Sequence, residues 1–267
     1  MSGGEGRRGA LIATLSTVVF FTLLAVLITH APGWPQVRKT FFDWGQFKDS
    51  LPDIARAFLL NVKIFLIAEA FILVFALLLA VIRSLPGPAA LPLRILGIAY
   101  ADFFRGVPTI LVIAMLGFGA PALQLKGVPL STTFWGIVAL VLVYTAYVSE
   151  VYRAGIESVH PSQDAAARSL GLTHWQSLRT VVLPQAVRRV IPPLLNDFIG
   201  LQKDTALVGF LGSVEAFKQS QIDAAATFNY TSYVAAALLF VALTVPLARF
   251  TDWLVLRDRR RRQAAGV

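Results

Sequence analysis

The stretch "DAAARSLGLTHWQSLRTVVLP", Asp164–Pro184, is polar and basic, although most of the chain around it is apolar enough to lie in lipid. Its first half contains strong helix formers, and Ser162 stands where a helix N-cap is expected. Gly171 follows, where a residue of positive φ would end that helix. Thr173 can cap a second helix, whose pattern Pro184 interrupts. The stretch therefore predicts a helix over Gln163–Leu170, a tight turn and a second helix.

The rest of the chain has the composition of a membrane protein. Of the 267 residues, 56% are hydrophobic and 15% are charged, and the mean hydropathy is +0.67. A helix needs roughly 20 mostly apolar residues to cross the hydrocarbon of a bilayer. The sequence therefore predicts an all-α membrane protein with about six transmembrane helices. The six predicted spans are Leu11–Thr29, Ala57–Ile82, Gly106–Leu123, Thr132–Ser149, Val190–Val214 and Ser232–Ala248.

The basic residues are distributed unevenly across these spans. An even number of spans puts both termini on one side, and that side collects 16 of the 24 basic residues. Cytoplasmic loops carry the excess of arginine and lysine, so both termini and the polar stretch are predicted to be cytoplasmic. The segment from Trp34 to Asp53 is then outside, where its aromatic residues suit an interfacial position in contact with membrane lipid. The net charge of +9 is mostly loop charge, which argues against a nucleic-acid partner.

The sequence offers no constellation typical of catalysis or of a metal site. There are no cysteines, and His30, His160 and His174 lie in separate contexts without ligand spacing. The chain also lacks the Gly-x-x-x-x-Gly-Lys-Ser/Thr motif that cradles nucleotide phosphates. We therefore expect no catalytic residue, no metal and no cofactor bound by this chain.

Several polar residues fall at membrane depth, where charge is costly and a functional role is the default hypothesis. In the fifth span, residues seven apart share a helix face, which pairs Asn196 with Lys203 and Asp197 with Asp204. Gly200 between them could allow a local break. The candidate residues of a solute pathway are Glu69, Tyr147, Glu150, Asn196, Asp197, Lys203, Asp204 and Thr205.

Other interpretations of these charges remain open. Lys203 could form a structural ion pair with Asp204 or Glu69, and Glu150 could pair with Arg153 or Arg189. An ion-coupled secondary carrier of small polar solutes would also use acidic residues within its spans. That alternative leaves the polar stretch between the spans unexplained.

The polar stretch resembles the EAA loop of permease subunits in ATP-binding-cassette (ABC) importers. That pattern is Glu-Ala-Ala, three residues, Gly, nine residues, Ile, one residue and Leu-Pro. Its three first positions are filled by Ala165, Ala166 and Ala167, and its later positions by Gly171, Val181, Leu183 and Pro184. The family glutamate is replaced by Ala165, while Asp164 supplies a carboxylate one residue earlier. A shift of one residue rotates a helical side chain by about 100°.

The resemblance extends from about Leu60 to Asp252 and points to the polar amino-acid branch, which carries solutes such as histidine, glutamate, glutamine, arginine and opines. "AYVSEVYRAGIESVHPSQ" (Ala146–Gln163) and "VVLPQAVRRVIPPLLNDFIGLQKDTALVGFLG" (Val181–Gly212) are similar to corresponding segments of that branch. "FRGVPTILV" (Phe104–Val112) resembles its Arg-Gly-Thr-Pro-Leu-Leu-Val-Gln signature, with departures at Val107, Thr109 and Val112.

The resemblance implies an importer permease of the type I fold, with a five-helix core plus one extra N-terminal span. It implies three regions: an anchor span with an outer interfacial segment (1–56), a transmembrane domain (57–256) whose coupling loop is 153–190, and a basic cytoplasmic tail (257–267). The implied partners are two ATPase subunits that hold ATP and Mg, a second permease subunit and an extracytoplasmic solute-binding protein. The implied location is the bacterial inner membrane. The residues expected to couple to the ATPase are Gln163, Asp164, Ala165, Ala166, Ala167, Gly171, Leu183 and Pro184.

Overall fold

The computed structural model describes residues 3–85 and 87–264, with the side chains of this part except those of residues 3–8, 174, 175, 178, 258, 259 and 261–264. All regular structure in the described part is helical, as the sequence predicts. In chain order, the α-helices are α1 (Gly3–Thr29), α2 (Trp34–Phe41), α3 (Trp44–Arg83), α4 (Leu91–Gly106), α5 (Thr109–Ala122), α6 (Thr132–Glu157), α7 (Pro161–Ser169), α8 (His174–Ser177), α9 (Leu183–Asp204), α10 (Ala216–Thr227) and α11 (Thr231–Ala264). Two 3₁₀ segments (Pro88–Ala90 and Thr205–Leu211) and a π-helical turn (Leu178–Val182) connect them.

Fewer helices meet the requirements of a membrane span than the sequence predicts. Within the described residues, four stretches are long and apolar enough: Gly9–Thr29, Trp34–Arg83, Thr132–Glu157 and Thr231–Arg257. Pro88–Gly106 and Thr109–Ala122 form a fifth if they count as one span, although the two helices are bent by 100°. The predicted count of six is therefore not confirmed, because α9 is outside this set.

The predicted third span begins too early. Val107 is extended (φ −92°, ψ 131°), and α5 starts at Thr109 rather than at Gly106. The physical reason is Pro108, whose ring excludes the residue before it from the helical region. The chain therefore turns sharply here, and α4 crosses the direction of α5.

The predicted fifth span is displaced toward the N-terminus. Helix α9 begins at Leu183 and continues through Gly200, so the local break that this glycine could allow does not occur. The α-helix ends instead at Asp204, and Thr205 begins a 3₁₀ segment that ends before Gly212, where φ is +88°. At the junction the Thr205 hydroxyl donates to the carbonyl of Gln202, at 2.7 Å. Gly200 faces the Tyr144 hydroxyl, so its small size serves close packing rather than a break.

The core lies where α6 packs against α3, α5 and α9. Fully buried aliphatic side chains fill it, chiefly Ile64, Ile72, Ile113, Leu140 and Leu201. Burying each such side chain contributes about 1.5–3 kcal/mol relative to exposing it to water. The gain is smaller relative to exposure to lipid, because lipid tails are themselves apolar. Close approach requires small residues, and a Cβ at Gly155 of α6 would overlap the side chain of Val190 on α9. Helix α1 lies outside this core, since no residue of its apolar segment Gly9–Thr29 is buried.

The predicted region boundaries do not coincide with the ends of helices. The division at 56/57 falls inside α3, which runs without interruption from Trp44 to Arg83. The predicted interfacial segment from Trp34 to Asp53 is therefore the short helix α2 followed by the first turns of α3. At the C-terminus, the basic tail continues α11 to Ala264, and residues 265–267 lie outside the described part.

Candidate functional site: an elbow and a polar face on α9

The polar stretch forms an elbow (residues 161–184) made of α7, a turn, α8 and the π-helical turn. Helix α7 runs over Pro161–Ser169, two residues earlier at its start than predicted. The predicted N-cap, Ser162, is wrong: the Nδ1 atom of His160 accepts a hydrogen bond from the Ser162 backbone N–H at 3.2 Å. Proline is favoured at the first helical position because it has no N–H to satisfy, which moves the cap to His160.

The turn after α7 has the geometry that the sequence predicts. Gly171 has φ +86°, the left-handed conformation that glycine adopts without a Cβ penalty. Its N–H donates to the Arg168 carbonyl at 3.0 Å, and the Leu172 N–H donates to the Ala167 carbonyl at 3.3 Å. These two bonds satisfy carbonyls that the end of a helix leaves without partners.

The second half of the elbow begins with a reciprocal cap. Thr173 Oγ1 accepts from the Gln176 N–H at 3.3 Å, and the Gln176 side chain accepts from the Thr173 N–H at 2.9 Å. This is the capping box of a helix N-terminus, so Thr173 is a cap, as predicted. The π-helical turn then leads directly into α9 at Leu183, with Pro184 in its first turn.

Asp164 joins the two halves of the elbow. Its Oδ1 atom accepts a hydrogen bond of 2.6 Å from the hydroxyl of Ser177, a fully buried residue of α8. Its other oxygen lies 3.9 Å from Arg168. The exposed face of α7 carries Gln163 together with Ala165 and Ala166, while Ala167 is buried. The carboxylate of Asp164 thus links α7 to α8 within the elbow.

The structure brings four of the eight predicted pathway residues to one side of the core. The carboxylate of Asp197 on α9 interacts electrostatically with Glu69 on α3. The Asp204 carboxylate accepts a hydrogen bond from Tyr144 at 3.0 Å. Tyr147 lies beside Tyr144, with ring centroids 6.1 Å apart. One oxygen of Asp197 is buried and has no hydrogen-bond partner among the described residues. We call this set the acidic face (Glu69, Tyr144, Tyr147, Asp197 and Asp204).

Lys203 is next to Asp204 of the acidic face, and its charge attracts that carboxylate. Its side chain lines a cavity of about 330 Å³ with aromatic residues of α10 and α11, among them Phe217, Tyr233 and Phe240. No described carboxylate forms an ion pair with Lys203. The predicted ion pair with Glu69 is therefore absent from the described part of the chain, and that with Asp204 is an electrostatic interaction beyond ion-pair distance.

Glu150 is held by arginines. It forms ion pairs with Arg83 at 2.5 Å, with Arg153 at 2.8 Å and with Arg105 at 3.4 Å, which tie α3 and α4 to α6. The predicted partner Arg153 is therefore present, whereas Arg189 donates to the Ser158 carbonyl instead. This environment accounts for the charge of Glu150 without a solute.

Thr205 belongs to a different cluster, which sequence reasoning missed. Asn61 on α3 donates to Glu215 at 2.9 Å and to Thr205 at 3.1 Å, and its oxygen accepts from the Ala216 N–H at 3.0 Å. Glu215 also caps α10, accepting from the backbone N–H groups of the next turn. We call Asn61, Thr205, Glu215 and Ala216 the polar junction. All four residues are buried, although the sequence alone indicates that Glu215 is a charged loop residue.

A signal for the polar junction exists in hindsight. Asn61 is an isolated amide in the apolar run of α3, and buried amides need partners. Its partners are 144 to 155 residues away, so the sequence does not reveal them. The last predicted pathway residue, Asn196, is exposed on α9 and joins neither cluster.

The family described as "binding-protein-dependent transport system inner membrane component" matches residues 91–260. A probable amino-acid permease protein, YxeN of Bacillus subtilis, is 33% identical over 204 residues, which cover 76% of this chain and 90% of the relative. The probable glutamine ABC transporter permease protein GlnM of the same organism is 36% identical over 167 residues, which cover 62% of this chain and 76% of the relative.

Solved structures of similar fold agree with these relatives. A crystal structure described as an amino acid ABC transporter with histidines superposes with a TM-score of 0.72 at 27% identity, covering 82% of this chain and 98% of that one. An inward-facing structure of the MetNI methionine ABC transporter has a TM-score of 0.61 at 19% identity and covers 76% and 95% of the two chains, a likeness of fold alone.

Proposed function

Because this chain belongs to the family of binding-protein-dependent transport system inner membrane components, we propose that it forms the translocation pathway of an ATP-driven importer of amino acids. The relatives above are permeases rather than ion-coupled carriers, so the secondary-carrier alternative is not supported. The permease is a multi-pass membrane protein and is not itself an enzyme. The amino-acid class of cargo follows the names of the relatives and the polar side chains along α9.

The elbow is the observation that carries the coupling part of this proposal. A short helix whose two ends are fixed by His160 and by Gly171 can move as a rigid unit. Its exposed face of Gln163, Ala165 and Ala166 has small side chains, which suit close docking in a groove of a partner. We infer that an ATPase subunit binds this face and hydrolyses ATP with its own Mg.

The wider assembly is part of the same proposal. We propose that the chain assembles with two ATPase subunits, a second permease subunit and a solute-binding protein on the opposite side of the membrane. The arginine asymmetry favours a cytoplasmic elbow and cytoplasmic termini. Labelling of Ser169→Cys with an impermeant thiol reagent tests the orientation; labelling on intact cells would contradict it.

The acidic face is the proposed path of the solute. Glu69 and Asp197 are ionisable side chains at membrane depth, and the unpartnered oxygen of Asp197 leaves one acceptor available to a ligand. Lys203 lines an aromatic cavity and places a cation near Asp204, so we include it in the proposed path.

Uptake of radiolabelled amino acids by the reconstituted complex tests the function. We expect Asp197→Asn to lower the uptake rate several-fold while assembly and basal ATP hydrolysis persist. Asp53→Asn, an exposed carboxylate of α3, is the matched control and should leave uptake unchanged. Equal uptake by wild type and Asp197→Asn would remove the acidic face from the pathway. Absence of ATP-dependent uptake of every amino acid would contradict the importer itself.

A further inference from the structure

The last turn of α9 carries two charged side chains of the proposed solute path between two buried polar ones. Lys203 is exposed and Asp204 is half-buried. The residues on either side of them, Gln202 and Thr205, are 3% and 0% exposed. Successive residues of an α-helix are rotated by about 100°, so the two buried side chains share one face while the charged ones point elsewhere. The contacts that hold Gln202 and Thr205 therefore also set the directions of Lys203 and Asp204.

Gln202 is held from a different helix. Its side-chain oxygen accepts a hydrogen bond of 2.8 Å from the hydroxyl of Thr244, which lies on α11, 42 residues away in the chain. The amide nitrogen of Gln202 makes no hydrogen bond among the described residues. A buried amide is normally hydrogen-bonded, and a hydrogen bond is stronger away from water. Within the described part of the chain, Thr244 is therefore the side chain that fixes the orientation of this amide.

Thr244 bonds differently from other threonines of the apolar helices. The hydroxyls of Thr14, Thr17 and Thr251 donate to the carbonyl four residues earlier in their own helix, at 2.9, 2.7 and 3.0 Å. A threonine within a helix can satisfy its hydroxyl in this way without a tertiary partner. Thr244 instead donates to another helix, so its hydrogen bond fixes α11 relative to the last turn of α9.

The buried residue after Asp204 is held from the opposite direction in the chain. The Thr205 hydroxyl accepts from Asn61 on α3 at 3.1 Å and donates to the Gln202 carbonyl at 2.7 Å. The two charged residues thus lie between a hydrogen bond to α11 and a hydrogen bond to α3. Backbone hydrogen bonds define the end of a helix less strictly than its middle. Side-chain contacts to neighbouring helices therefore decide how this turn is oriented.

We propose that Thr244 is a positioning residue of the transport path, which acts through Gln202 to direct Lys203 and Asp204 toward the solute. This inference rests on the proposed function, because it requires the two charges to contact the transported amino acid. A binding site holds its ligand tightly only when its charged groups are kept at a productive geometry. Without the Thr244 hydroxyl, the last turn of α9 can rotate, and the two charges keep that geometry for less of the time. Solute affinity should then fall although no charge is removed.

The test measures equilibrium binding of a radiolabelled amino acid that the wild type takes up. The purified complex of permease and ATPase subunits is used without the solute-binding protein, so that the affinity of that protein does not enter the measurement. Thr244→Val keeps the volume but removes the hydroxyl, and we expect it to raise Kd about threefold or more. Thr244→Ser keeps the donor and should bind about as tightly as wild type.

The matched control is Thr251→Val on the same helix, because the Thr251 hydroxyl bonds within α11. It should leave Kd unchanged. Both valine variants lose one hydroxyl from α11, so their melting temperatures should be similar. A difference in Kd between them then reports the position of the hydroxyl rather than a general loss of stability.

A double-mutant cycle tests whether Thr244 acts through Gln202. Gln202→Leu removes the acceptor and should raise Kd about as much as Thr244→Val does. The double variant should bind no more weakly than either single variant, because both changes break the same contact. If Thr244→Val does not assemble, Thr244→Cys takes its place in the cycle, since a thiol is only a weak donor.

The positioning role would be overturned by an unchanged Kd in Thr244→Val, by an equal rise in Thr251→Val or by no recovery in Thr244→Ser. Additive effects of Thr244→Val and Gln202→Leu would also contradict it, because Thr244 would then act by another route. Absence of amino-acid binding and uptake in the wild type would instead contradict the importer function. The wild-type measurement thus separates the failure of the proposed function from the failure of this inference.

Discussion

The elbow and the polar junction are both built on capped helices, yet their stabilising contacts differ in range. In the elbow, Gly171 bonds to Arg168, and Asp164 reaches Ser177, 13 residues away. In the polar junction, Asn61 bonds to Thr205 and Glu215 across 144 and 154 residues. The elbow is thus a local structure that can move as a unit. The polar junction instead fixes α3, the 3₁₀ segment after α9 and α10 to one another.

The largest effect is expected from removing the centre of the polar junction. Glu215→Ala leaves the Asn61 amide and two backbone N–H groups of α10 without their acceptor in a buried site. Lost capping and unsatisfied donors should together cost about 2–4 kcal/mol of stability. Thermal unfolding of the purified chain in detergent measures this. Glu157→Ala, which removes an exposed carboxylate, is the control. Equal losses of stability in both variants would show that the contacts of the polar junction contribute nothing specific to stability.

A smaller but functionally decisive effect is expected at the turn of the elbow. Gly171→Val forces a β-branched residue to φ +86° and should cost about 1–2 kcal/mol locally. Because the polar junction is remote, insertion and core packing should persist while ATP-driven uptake is largely lost. Co-purification of the ATPase subunit and uptake in vesicles are the measurements.

Gly33→Val is the matched control for this variant, since a Cβ at Gly33 meets nothing within 4 Å and its φ is −84°. Normal uptake by Gly171→Val would mean that the elbow is not the coupling element.

Loss of the Asp164–Ser177 hydrogen bond within the elbow should have a smaller effect on coupling than Gly171→Val. Asp164→Ala removes the acceptor of the Ser177 hydroxyl, at an expected cost of about 1 kcal/mol. We expect reduced coupling, seen as lower uptake per ATP hydrolysed, with little change in the melting temperature. Asp164→Asn keeps an acceptor oxygen and should recover part of the coupling. If Asn behaves like Ala, the carboxylate acts by its charge, and contact with the ATPase becomes the better account.

The smallest effect is expected for a charge on the surface of α3. Arg56 pairs with Asp53 at 3.1 Å, but both side chains are mostly exposed. Arg56→Ala should change stability by less than about 0.5 kcal/mol, because water and salt screen such pairs. Chemical denaturation of the same preparation used for Glu215→Ala tests it. A loss of stability comparable to that of Glu215→Ala would contradict the view that burial determines how much an acidic contact contributes.

The elbow shows what local sequence predicts well. The positive φ of Gly171 and the cap at Thr173 follow from residue types acting on their immediate neighbours. The predicted N-cap was wrong for a reason that is also local: Pro161 occupies the first helical position, so His160 rather than Ser162 is the cap. Prolines also decided the start of α5, since Pro108 holds Val107 extended.

The pathway residues show where prediction from sequence ends. Hydropathy and helical spacing predicted that Glu69, Asp197 and Lys203 lie at membrane depth. They did not predict the direction of each side chain relative to the other helices. Only the packing of α9 against α6 and α11 decides that Lys203 lines an aromatic cavity while Asp197 lies near Glu69. The arginines around Glu150 likewise come from three helices, so their meeting depends on tertiary contacts.

By itself, the sequence determined the helical membrane class, the elbow and the resemblance to importer permeases, because apolar runs, caps and motif spacing act within a few helical turns. Only the tertiary structure decided that Glu215 is buried beside Asn61 and that Thr205 belongs to this junction. The reason is physical. A polar side chain gives no local sign of the partner that compensates for its burial when that partner lies on a helix more than a hundred residues away.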